Sequence, residues 1–426
     1  MTPFPVGLPH ETAGTTRTPQ QAGPPQESAA DPFGLPEHLR LLRDRVREFV
    51  RREVIPAEPV LLAGGDTGRL ALGRLRERAR SEGLWGLAHP AEIGGRGLPL
   101  TDYVPLGEAE GESEFGPAVL GSEHLLDALM LHRHARPAVR DRYLPGLLEG
   151  RVTPCYGMSE PGRAGSDPSL MTTRARPACD GWTIRGSKWF MRAARADFIT
   201  VMCRTEPLGV PNSQAFTMFV VPVGTPGYRQ VRELPVLGVE DGHREVRFED
   251  VRVPEDHMIG GRGAGFAVAG ERLDLGRTLR AVQWLGQARR AFGLMCRRLH
   301  GRTAFQEPLA AKQLLQQHVF DAYTDIQAAR CQVLRAAAAV RAGRGAYVEA
   351  ATAKVLASRA LCRVLDRAVQ IHGAEGLTDD TPLSRMYLRA RATRIYDGPD
   401  ELHVHTVAKR LLKRYAGDPE AEADVF

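Results

Sequence analysis

The chain has 426 residues, of which 43% are hydrophobic and 25% charged, proportions typical of a folded, water-soluble protein. Its net charge of +6 comes from arginines interleaved with acidic residues. Scattered charges of this kind predict no nucleic-acid partner. No apolar run in the sequence reaches the roughly 18–20 residues of a membrane span, so no membrane anchor is expected. At about 100–200 residues per domain, two or three domains are expected.

The cysteines and the N-terminus bear on the compartment. The six cysteines are far apart and none forms a CxxC pair. Disulfide frameworks belong to short secreted chains, so reduced and mostly buried thiols are expected. The N-terminus lacks the basic and apolar segments of a secretory signal, and it is too poor in arginine for a mitochondrial transit peptide. These features favour a cytoplasmic location.

The first part of the chain divides into a tail and a helical domain. Residues 1–32 are rich in Pro, Gly, Thr and Gln and predict a disordered tail, because they cannot bury enough apolar surface to offset the entropy of ordering. From residue 33 to 152 the apolar side chains recur at intervals of three and four. Leu39, Leu42 and Val46 begin this pattern, which predicts an N-terminal helical domain.

In the rest of the chain, the spacing of the apolar residues changes twice. Residues 153–262 contain short β-branched and aromatic runs, such as 198–203 and 216–221, separated by turn residues. They predict a small middle domain that is a β-barrel or sandwich. From 263 to 426 the helical period returns in three long stripes and a C-terminal helix, which predict a four-helix bundle. The fold class is therefore α+β, mainly α, and the lack of βαβ alternation argues against a Rossmann fold.

One C-terminal segment combines turn chemistry with acidic residues. Residues 392–403 read Ala-Thr-Arg-Ile-Tyr-Asp-Gly-Pro-Asp-Glu-Leu-His. The Asp-Gly-Pro-Asp core is typical of a turn, because Gly supplies unusual φ and Pro fixes its own φ. Asp400 could then cap a helix over about residues 401–414. His403 and His405 lack a third ligand at a suitable spacing, so we expect surface or helix positions and no metal site.

A second segment, far upstream, changes the interpretation of this turn. Residues 156–167 read Tyr-Gly-Met-Ser-Glu-Pro-Gly-Arg-Ala-Gly-Ser-Asp. Together the two segments resemble the acyl-CoA dehydrogenase family. The resemblance covers about residues 36–415, and its markers follow the order of that family. The further markers are Gly94-Gly95, 186–189, 248–254, 263–266, Arg277, 302–305, Gln313 and 370–373.

The resemblance implies an FAD-dependent enzyme that oxidises the α,β-carbon bond of an acyl-CoA thioester. In that family a carboxylate removes the α-proton, and the flavin accepts the β-hydrogen as hydride. Asp397 stands at the position of the base, where most members have Glu. The family's alternative base position is Gly276 here, which leaves Asp397 as the candidate. By resemblance, the backbone N–H of Asp397 and a ribityl hydroxyl of FAD would bind the enolate oxygen, and Arg277 and Gly398 would support this loop.

The resemblance also assigns the residues that would contact FAD. Around the flavin ring and the pyrophosphate they are Met158, Ser159, Gly165, Ser166, Trp189 and Met191. Ser159 and Met191 stand where the family usually has Thr. Residues that would reach the FAD of a neighbouring subunit, or the adenosine end, are Arg302, Phe305, Gln313, Gln370, Gly373, Pro399 and Glu401. Since these contacts would come from different subunits, a homotetramer is expected. No metal is implied.

Three functions remain open at this point. The first is an acyl-CoA dehydrogenase of fatty acid metabolism that passes electrons to an electron-transfer flavoprotein. The second is a flavin oxidase of the same fold, because nitroalkane-oxidase-like members also use Asp as the base. The third is a relative that acts on a carrier-protein thioester. The Asp-Gly-Pro-Asp-Glu form resembles a branch that handles unusual, longer or hydroxylated acyl chains.

Overall fold

The computed structural model describes residues 34–343 and 345–417. The tail predicted over residues 1–32 lies outside them. The structure confirms the predicted α+β, mainly helical fold, with an N-terminal helical domain, a middle β domain and a C-terminal helical domain. No described helix is long and apolar enough to cross a membrane.

Seven helices form the N-terminal domain. Leu39, Val46 and Phe49 lie on one face of the first helix and are almost completely buried, as their spacing predicts. A π-helical segment, Val50–Val54, joins the first helix to the second. The helices are α1 (Glu37–Phe49), α2 (Ile55–Ala63), α3 (Gly65–Ser81), α4 (Leu100–Glu110), α5 (Gly116–Leu120), α6 (Leu125–His134) and α7 (Pro137–Leu148).

The middle domain is built on one eight-stranded sheet. The strands are β1 (Pro154–Gly157), β2 (Arg174–Ala178), β3 (Gly181–Met191), β4 (Phe198–Arg204), β5 (Phe216–Pro222), β6 (Tyr228–Glu233), β7 (Arg244–Pro254) and β8 (Met258–Ile259), with the short helix α8 (Asn212–Ala215) before β5. Their order in the sheet is β6-β7-β3-β2-β4-β5-β8, and β1 pairs in parallel with β4. The strands β4 and β5 are buried along almost their whole length, which explains their continuous apolar sequences.

In the described residues, the C-terminal domain has three long helices and two shorter ones. The last short helix is the one that the sequence predicts over about residues 401–414. The long helices pack through small and branched residues such as Ala288, Ala329 and Leu361, all nearly inaccessible to solvent. A two-stranded hairpin separates the first two. These elements are α9 (Gly265–Gly301), β9 (Thr303–Ala304), β10 (Glu307–Pro308), α10 (Gln313–Arg341), α11 (Tyr347–His372), α12 (Leu383–Thr393) and α13 (Asp400–Gly417).

Helix α9 connects all three domains. It packs on α10 and α11 in its own domain and on α4 and α6 of the N-terminal domain. At Gly286 the backbone of α4 comes so close that a Cβ atom would lie 2.3 Å from the Glu108 carbonyl oxygen. The start of α9 follows β8 and packs against β5. The loop between α12 and α13 lies over the middle of this helix, and that loop carries Asp397.

Candidate active site

The candidate base lies on a short, strained loop between α12 and α13. Asp397 has φ 55°, a left-handed conformation that Asp tolerates better than most residues. Its side chain is 38% exposed, and Oδ2 lies 3.9 Å from Nε of Arg280 on α9. Gly276, the other base position of the family, lies one helical turn before Arg280 and so shares its face of α9. The loop therefore presents Asp397 to the face of α9 that carries Gly276 and Arg280.

A buried histidine supports this loop from below. Nε2 of His403 donates to the Asp397 carbonyl oxygen at 2.9 Å, and Nδ1 lies 3.4 Å from the Tyr347 hydroxyl. Burial lowers the pKa of His403, which favours the neutral imidazole with its proton on Nε2. The guanidinium of Arg277 lies 5.0 Å from the Tyr347 ring centroid. A chain of contacts thus runs from Arg277 through Tyr347 and His403 to the backbone of the candidate base.

A buried ion-pair network holds the other side of the loop. Lys354 Nζ donates to the Gly398 carbonyl oxygen at 2.8 Å and to Asp400 Oδ1 at 3.0 Å, and both charged side chains are fully buried. Arg359 and Arg394 also bind the Asp400 carboxylate. Burial acts to raise the pKa of Asp400, but hydrogen bonds from Arg394 and Lys354 outweigh it and hold that pKa below its usual value. The side-chain partners of Asp400 therefore come from outside α13, so it ties α13 to α11 and to Arg394, directly after α12.

The residues assigned to the flavin ring form a shelf on the middle domain. The Trp189 backbone N–H donates to the Ser159 carbonyl oxygen at 3.0 Å, and both side chains are partly exposed. Gly165 and Ser166 lie in an exposed loop, and a Cβ on Gly165 would lie 3.3 Å from the Ser159 hydroxyl oxygen. A partly exposed indole beside the Ser159 hydroxyl suits contact with an isoalloxazine ring, and the exposed Ser166 suits contact with a pyrophosphate. Met158 lies partly exposed beside Ser159.

Met191 differs from the other residues of this group. Its side chain is only 3% exposed and packs in the hydrophobic core of the middle domain. A Cβ on Gly157 would approach the Met191 sulfur to 2.7 Å, so the thioether fills space beneath β1. The side chain therefore lies under the shelf and does not offer the hydroxyl that the family usually has at this position.

A second buried ion pair supports the shelf. Lys188 Nζ lies 2.9 Å from Glu160 Oε1 and donates to the Met158 carbonyl oxygen, also at 2.9 Å. Burial would raise the pKa of Glu160, but Lys188 and the amides of Thr172 and Thr173 outweigh it and lower that pKa to about 2. The carboxylate is therefore ionised at neutral pH. It holds the segment that carries Met158 and Ser159 in one conformation.

Aromatic side chains connect the shelf with the base loop. The rings of Trp189 and Phe190 are 6.1 Å apart, and those of Phe190 and Tyr396 are 5.9 Å apart. Tyr396 directly precedes Asp397 and also stacks on His243 at 6.1 Å. The flavin shelf and the candidate base therefore meet within one chain, although more than 200 residues separate Trp189 from Asp397.

The other assigned FAD residues lie elsewhere on the C-terminal domain. Arg302 follows the end of α9, 22 residues beyond Arg280, which is about 33 Å along a helix that rises 1.5 Å per residue. Phe305 is 93% exposed, and Arg302 and Gln313 are also exposed. Gln370 and Gly373 are exposed at the same end of the bundle, because Arg298 of α9 donates to the His372 carbonyl oxygen. Pro399 and Glu401 lie close to Asp397 in sequence, at the start of α13.

This three-domain arrangement agrees with known families. Three family models match the chain in succession: acyl-CoA dehydrogenase N-terminal domain over residues 36–151, middle domain over 155–251 and C-terminal domain over 263–412. The chain belongs to the acyl-CoA dehydrogenase family. Proteins of this family use FAD and act on acyl-CoA. The protein is therefore an oxidoreductase of the acyl-CoA dehydrogenase type.

Individual relatives support the same assignment. The "Probable acyl-CoA dehydrogenase FadE2" of Mycobacterium tuberculosis is 36% identical over 394 residues, which cover 87% of this chain and 95% of that protein. The solved "Structure of a putative acyl-CoA dehydrogenase from Mycobacterium abscessus" shares 35% identity with a TM-score of 0.83, covering 89% of this chain and 99% of that one. Mouse acyl-CoA dehydrogenase family member 10 is 35% identical over 90% of this chain, but the match spans only 38% of its length.

Sequence reasoning missed several residues around the candidate site. His403 was predicted at a surface or helix position; it lies in a helix but is fully buried under the base loop. Lys354 was not singled out, although it stands four residues before Ser358 and three after Ala351, on the apolar face of α11. A charged residue on the apolar face of a predicted helix could have indicated this buried lysine. Arg280 had no such signal, because arginines are frequent in the chain. Among the described residues, no cluster could hold a metal ion.

Proposed function

We propose that this acyl-CoA dehydrogenase carries out FAD-dependent α,β-dehydrogenation of an acyl-CoA thioester with Asp397 as the base for the α-proton. The observation that carries the proposal is the aromatic contact from Trp189 through Phe190 to Tyr396, because it brings the base loop to the flavin shelf. A thioester between shelf and loop would have its α-carbon near the Asp397 carboxylate. FAD, when bound, supplies the acceptor for the β-hydride.

The loop also offers a donor for the thioester oxygen. The backbone N–H of Asp397 donates no hydrogen bond to another described residue. His403 and Lys354 bind the carbonyl oxygens of Asp397 and Gly398, so they hold the two peptides that follow this N–H and restrict the loop that carries it. Fixed donors stabilise a developing enolate more than mobile ones, because they need no reorganisation during the reaction. We assign this N–H to the enolate oxygen.

The family-derived FAD contacts fit a homo-oligomer, and we propose a homotetramer. Arg302, Phe305 and Gln313 lie too far along the bundle to reach the shelf of their own chain. Large apolar side chains are exposed in this region, among them Phe305 at 93%, Leu314 at 83% and Phe320 at 63%. Such a surface is typical of an interface between proteins. We further propose that an electron-transfer flavoprotein accepts the electrons.

The decisive experiment is anaerobic reduction of the bound flavin by a panel of acyl-CoA thioesters. The wild-type protein should bleach with acyl-CoA and reoxidise slowly in air. Asp397→Asn should keep its FAD but bleach roughly 10²–10⁴-fold more slowly, because it lacks the base. Asp366→Asn, an exposed aspartate on α11, is the matched control and should bleach normally.

Three results would redirect the assignment. Full-speed bleaching of Asp397→Asn would remove this residue from the role of base. Rapid peroxide formation with nitroalkanes would identify a flavin oxidase of the same fold. Reduction by carrier-protein thioesters but not by acyl-CoA would identify the third candidate function.

A further inference from the structure

One side of the middle-domain sheet gathers arginines that are scattered along the sequence. Strands β6, β7, β3 and β2 are neighbours in that order, and each neighbouring pair is antiparallel. Residues that lie opposite each other on antiparallel strands point to the same side of the sheet. The opposed pairs are Arg174 with Arg185, Arg176 with Thr183, Thr183 with Arg252, Ser187 with Arg247 and Arg229 with Arg247.

These pairs belong to a single surface. Alternate residues of a strand lie on the same side, so Thr183, Arg185 and Ser187 of β3 connect the pairs. Ile184 and Lys188 of the same strand are fully buried on the opposite side. The side that carries the arginines is solvent-exposed, and we call it the arginine face, formed by Arg174, Arg176, Arg185, Arg229, Arg247 and Arg252.

The arginine face has more positive charge than its own acids neutralise. The exposed acids Glu249 and Asp250 approach Arg229, Arg247 and Arg185 at 3.2, 3.9 and 3.9 Å. The arginines without an ion-pair partner in the described part of the chain are Arg174, Arg176 and Arg252. Like charges on neighbouring strands repel and destabilise a sheet. An acidic partner would relieve this repulsion.

The arginine face is continuous with the flavin shelf. Trp189 lies two residues after Ser187 on β3, and the buried Lys188 between them points to the other side. Ser187 and Trp189 therefore share the side that carries the arginines. Arg185 is four residues from Trp189, about 13 Å along a strand. A protein bound to the arginine face would thus lie beside the flavin.

We propose that the arginine face is the docking surface for the protein that accepts electrons from this enzyme, and that this acceptor binds through an acidic surface. The proposal rests on the proposed function, in which each turnover removes two electrons and two protons from the acyl chain. The two electrons reduce the acceptor as the substrate is oxidised, and the protons are released to solvent. Opposite charges accelerate the encounter of two proteins and orient them.

Other polyanions fit the arginine face less well. Single-stranded nucleic acid is bound by basic grooves with aromatic side chains on which bases stack. Membrane surfaces are bound through basic residues together with large apolar ones. The residues that the register places between the arginines are Thr183 and Ser187, which are small and polar. A broad, polar and charged face suits the surface of a folded protein.

The test separates reduction of the flavin from its reoxidation. Wild type and the charge-reversed variant Arg176→Glu/Arg252→Glu are reduced anaerobically with acyl-CoA and then mixed with the electron-transfer flavoprotein of the same organism. We expect the variant to be reoxidised roughly 10-fold more slowly at low ionic strength, and to lose most of the salt dependence of this rate. Its reduction by acyl-CoA, and its reoxidation by the neutral oxidant 1,4-benzoquinone, should match wild type.

Two further variants complete the comparison. Arg69→Glu/Arg74→Glu makes the same change of charge at two exposed arginines of α3 and should behave as wild type. The neutral variant Arg176→Gln/Arg252→Gln should be reoxidised at an intermediate rate, and it keeps the test valid if the charge-reversed protein does not fold. Protein reduced with dithionite gives the same comparison without acyl-CoA, so the docking and the dehydrogenase function can fail separately.

Several outcomes would overturn the docking. One is reoxidation of the charge-reversed variant at the wild-type rate with the wild-type salt dependence, and another is equal slowing of the α3 control, which would point to net charge alone. A changed oligomeric state of the variant would assign the arginine face to a second copy of this chain. Loss of binding to DNA or to anionic phospholipid vesicles, with normal reoxidation, would assign it to a polyanion or a membrane.

Discussion

Nε2 of His403 lies 2.9 Å from the main-chain carbonyl oxygen of Asp397. This contact fixes the peptide that follows the candidate base, and the imidazole itself is fixed by Tyr347. Because the histidine is fully buried, the hydrogen bond is shielded from competing water. The position of the base therefore depends on a residue six positions later, in the first turns of α13.

Replacing His403 should slow catalysis more than it affects cofactor binding. His403→Ala removes the donor to the Asp397 carbonyl and opens a cavity under the loop. We expect flavin reduction to slow by about 10²-fold, since a displacement of about 1 Å at the reacting groups can cost that much. His405→Ala, an exposed histidine on the same helix, is the control and should leave the rate unchanged. Equal rates for wild type and His403→Ala would show that the loop keeps its position without the imidazole.

Gly398 should not tolerate a side chain. It has φ 97°, and a Cβ there would lie 2.8 Å from Nε2 of His403. Gly398→Ala should therefore destabilise the fold by about 2–3 kcal/mol, from backbone strain plus displacement of the imidazole. Gly224→Ala is the control, because Gly224 has φ 89° and a Cβ there would meet no atom within 4 Å. This variant should lose only the backbone strain, about 1 kcal/mol of unfolding free energy. Chemical denaturation measures both. A Gly398→Ala variant no less stable than Gly224→Ala would argue against the close packing of loop and histidine.

The buried Lys354–Asp400 pair predicts a strong single-site effect with partial rescue. Lys354→Met leaves the Gly398 carbonyl oxygen without its donor and removes one partner of a buried carboxylate, which should cost about 3 kcal/mol of unfolding free energy. Adding Asp400→Leu removes the buried charge as well, so the double variant should be more stable than Lys354→Met. Lys409→Met, exposed on α13, should have no effect. If the double variant is the least stable of the three, the buried charge is not the main cost.

Glu110 predicts a pH dependence of stability. Its carboxylate is buried, accepts from the Tyr103 hydroxyl at 2.9 Å and from Ser122, and burial raises its pKa to about 7. The unfolded chain releases this proton near pH 4.5, whereas the folded protein keeps it to about pH 7. The unfolding free energy should therefore fall as pH rises through this window and level off above it.

The variant Glu110→Gln should remove this pH dependence of the unfolding free energy, because glutamine does not ionise. At pH 8 it should be more stable than the wild type by up to about 3 kcal/mol, because each unit of pKa shift is worth about 1.4 kcal/mol. The advantage should vanish near pH 4.5. Glu77→Gln, an exposed residue of α3, should follow the wild-type curve. An advantage of Glu110→Gln that is the same at both pH values would point to packing and not to ionisation.

The sequence alone determined the order of the domains and the turn that carries the proposed base. The apolar period changes from helix to strand and back to helix, and each change lies close to a change of element type in the structure. Likewise, the Asp-Gly-Pro-Asp segment predicted a turn before a helix, and α13 begins at Asp400. These are local properties, because periodicity and turn chemistry depend on neighbouring residues.

Only the tertiary structure decided what surrounds Asp397. Lys354, His403 and Arg280 act through side chains from three helices, and Arg280 is more than 100 residues from Asp397 in the sequence. A periodic pattern shows that a helix has a buried face, but it does not show which other helix covers that face. Whether a charged residue is buried with a partner or solvated depends on this packing. The sequence could thus propose a candidate base, whereas the residues that hold its loop became visible only in the tertiary structure.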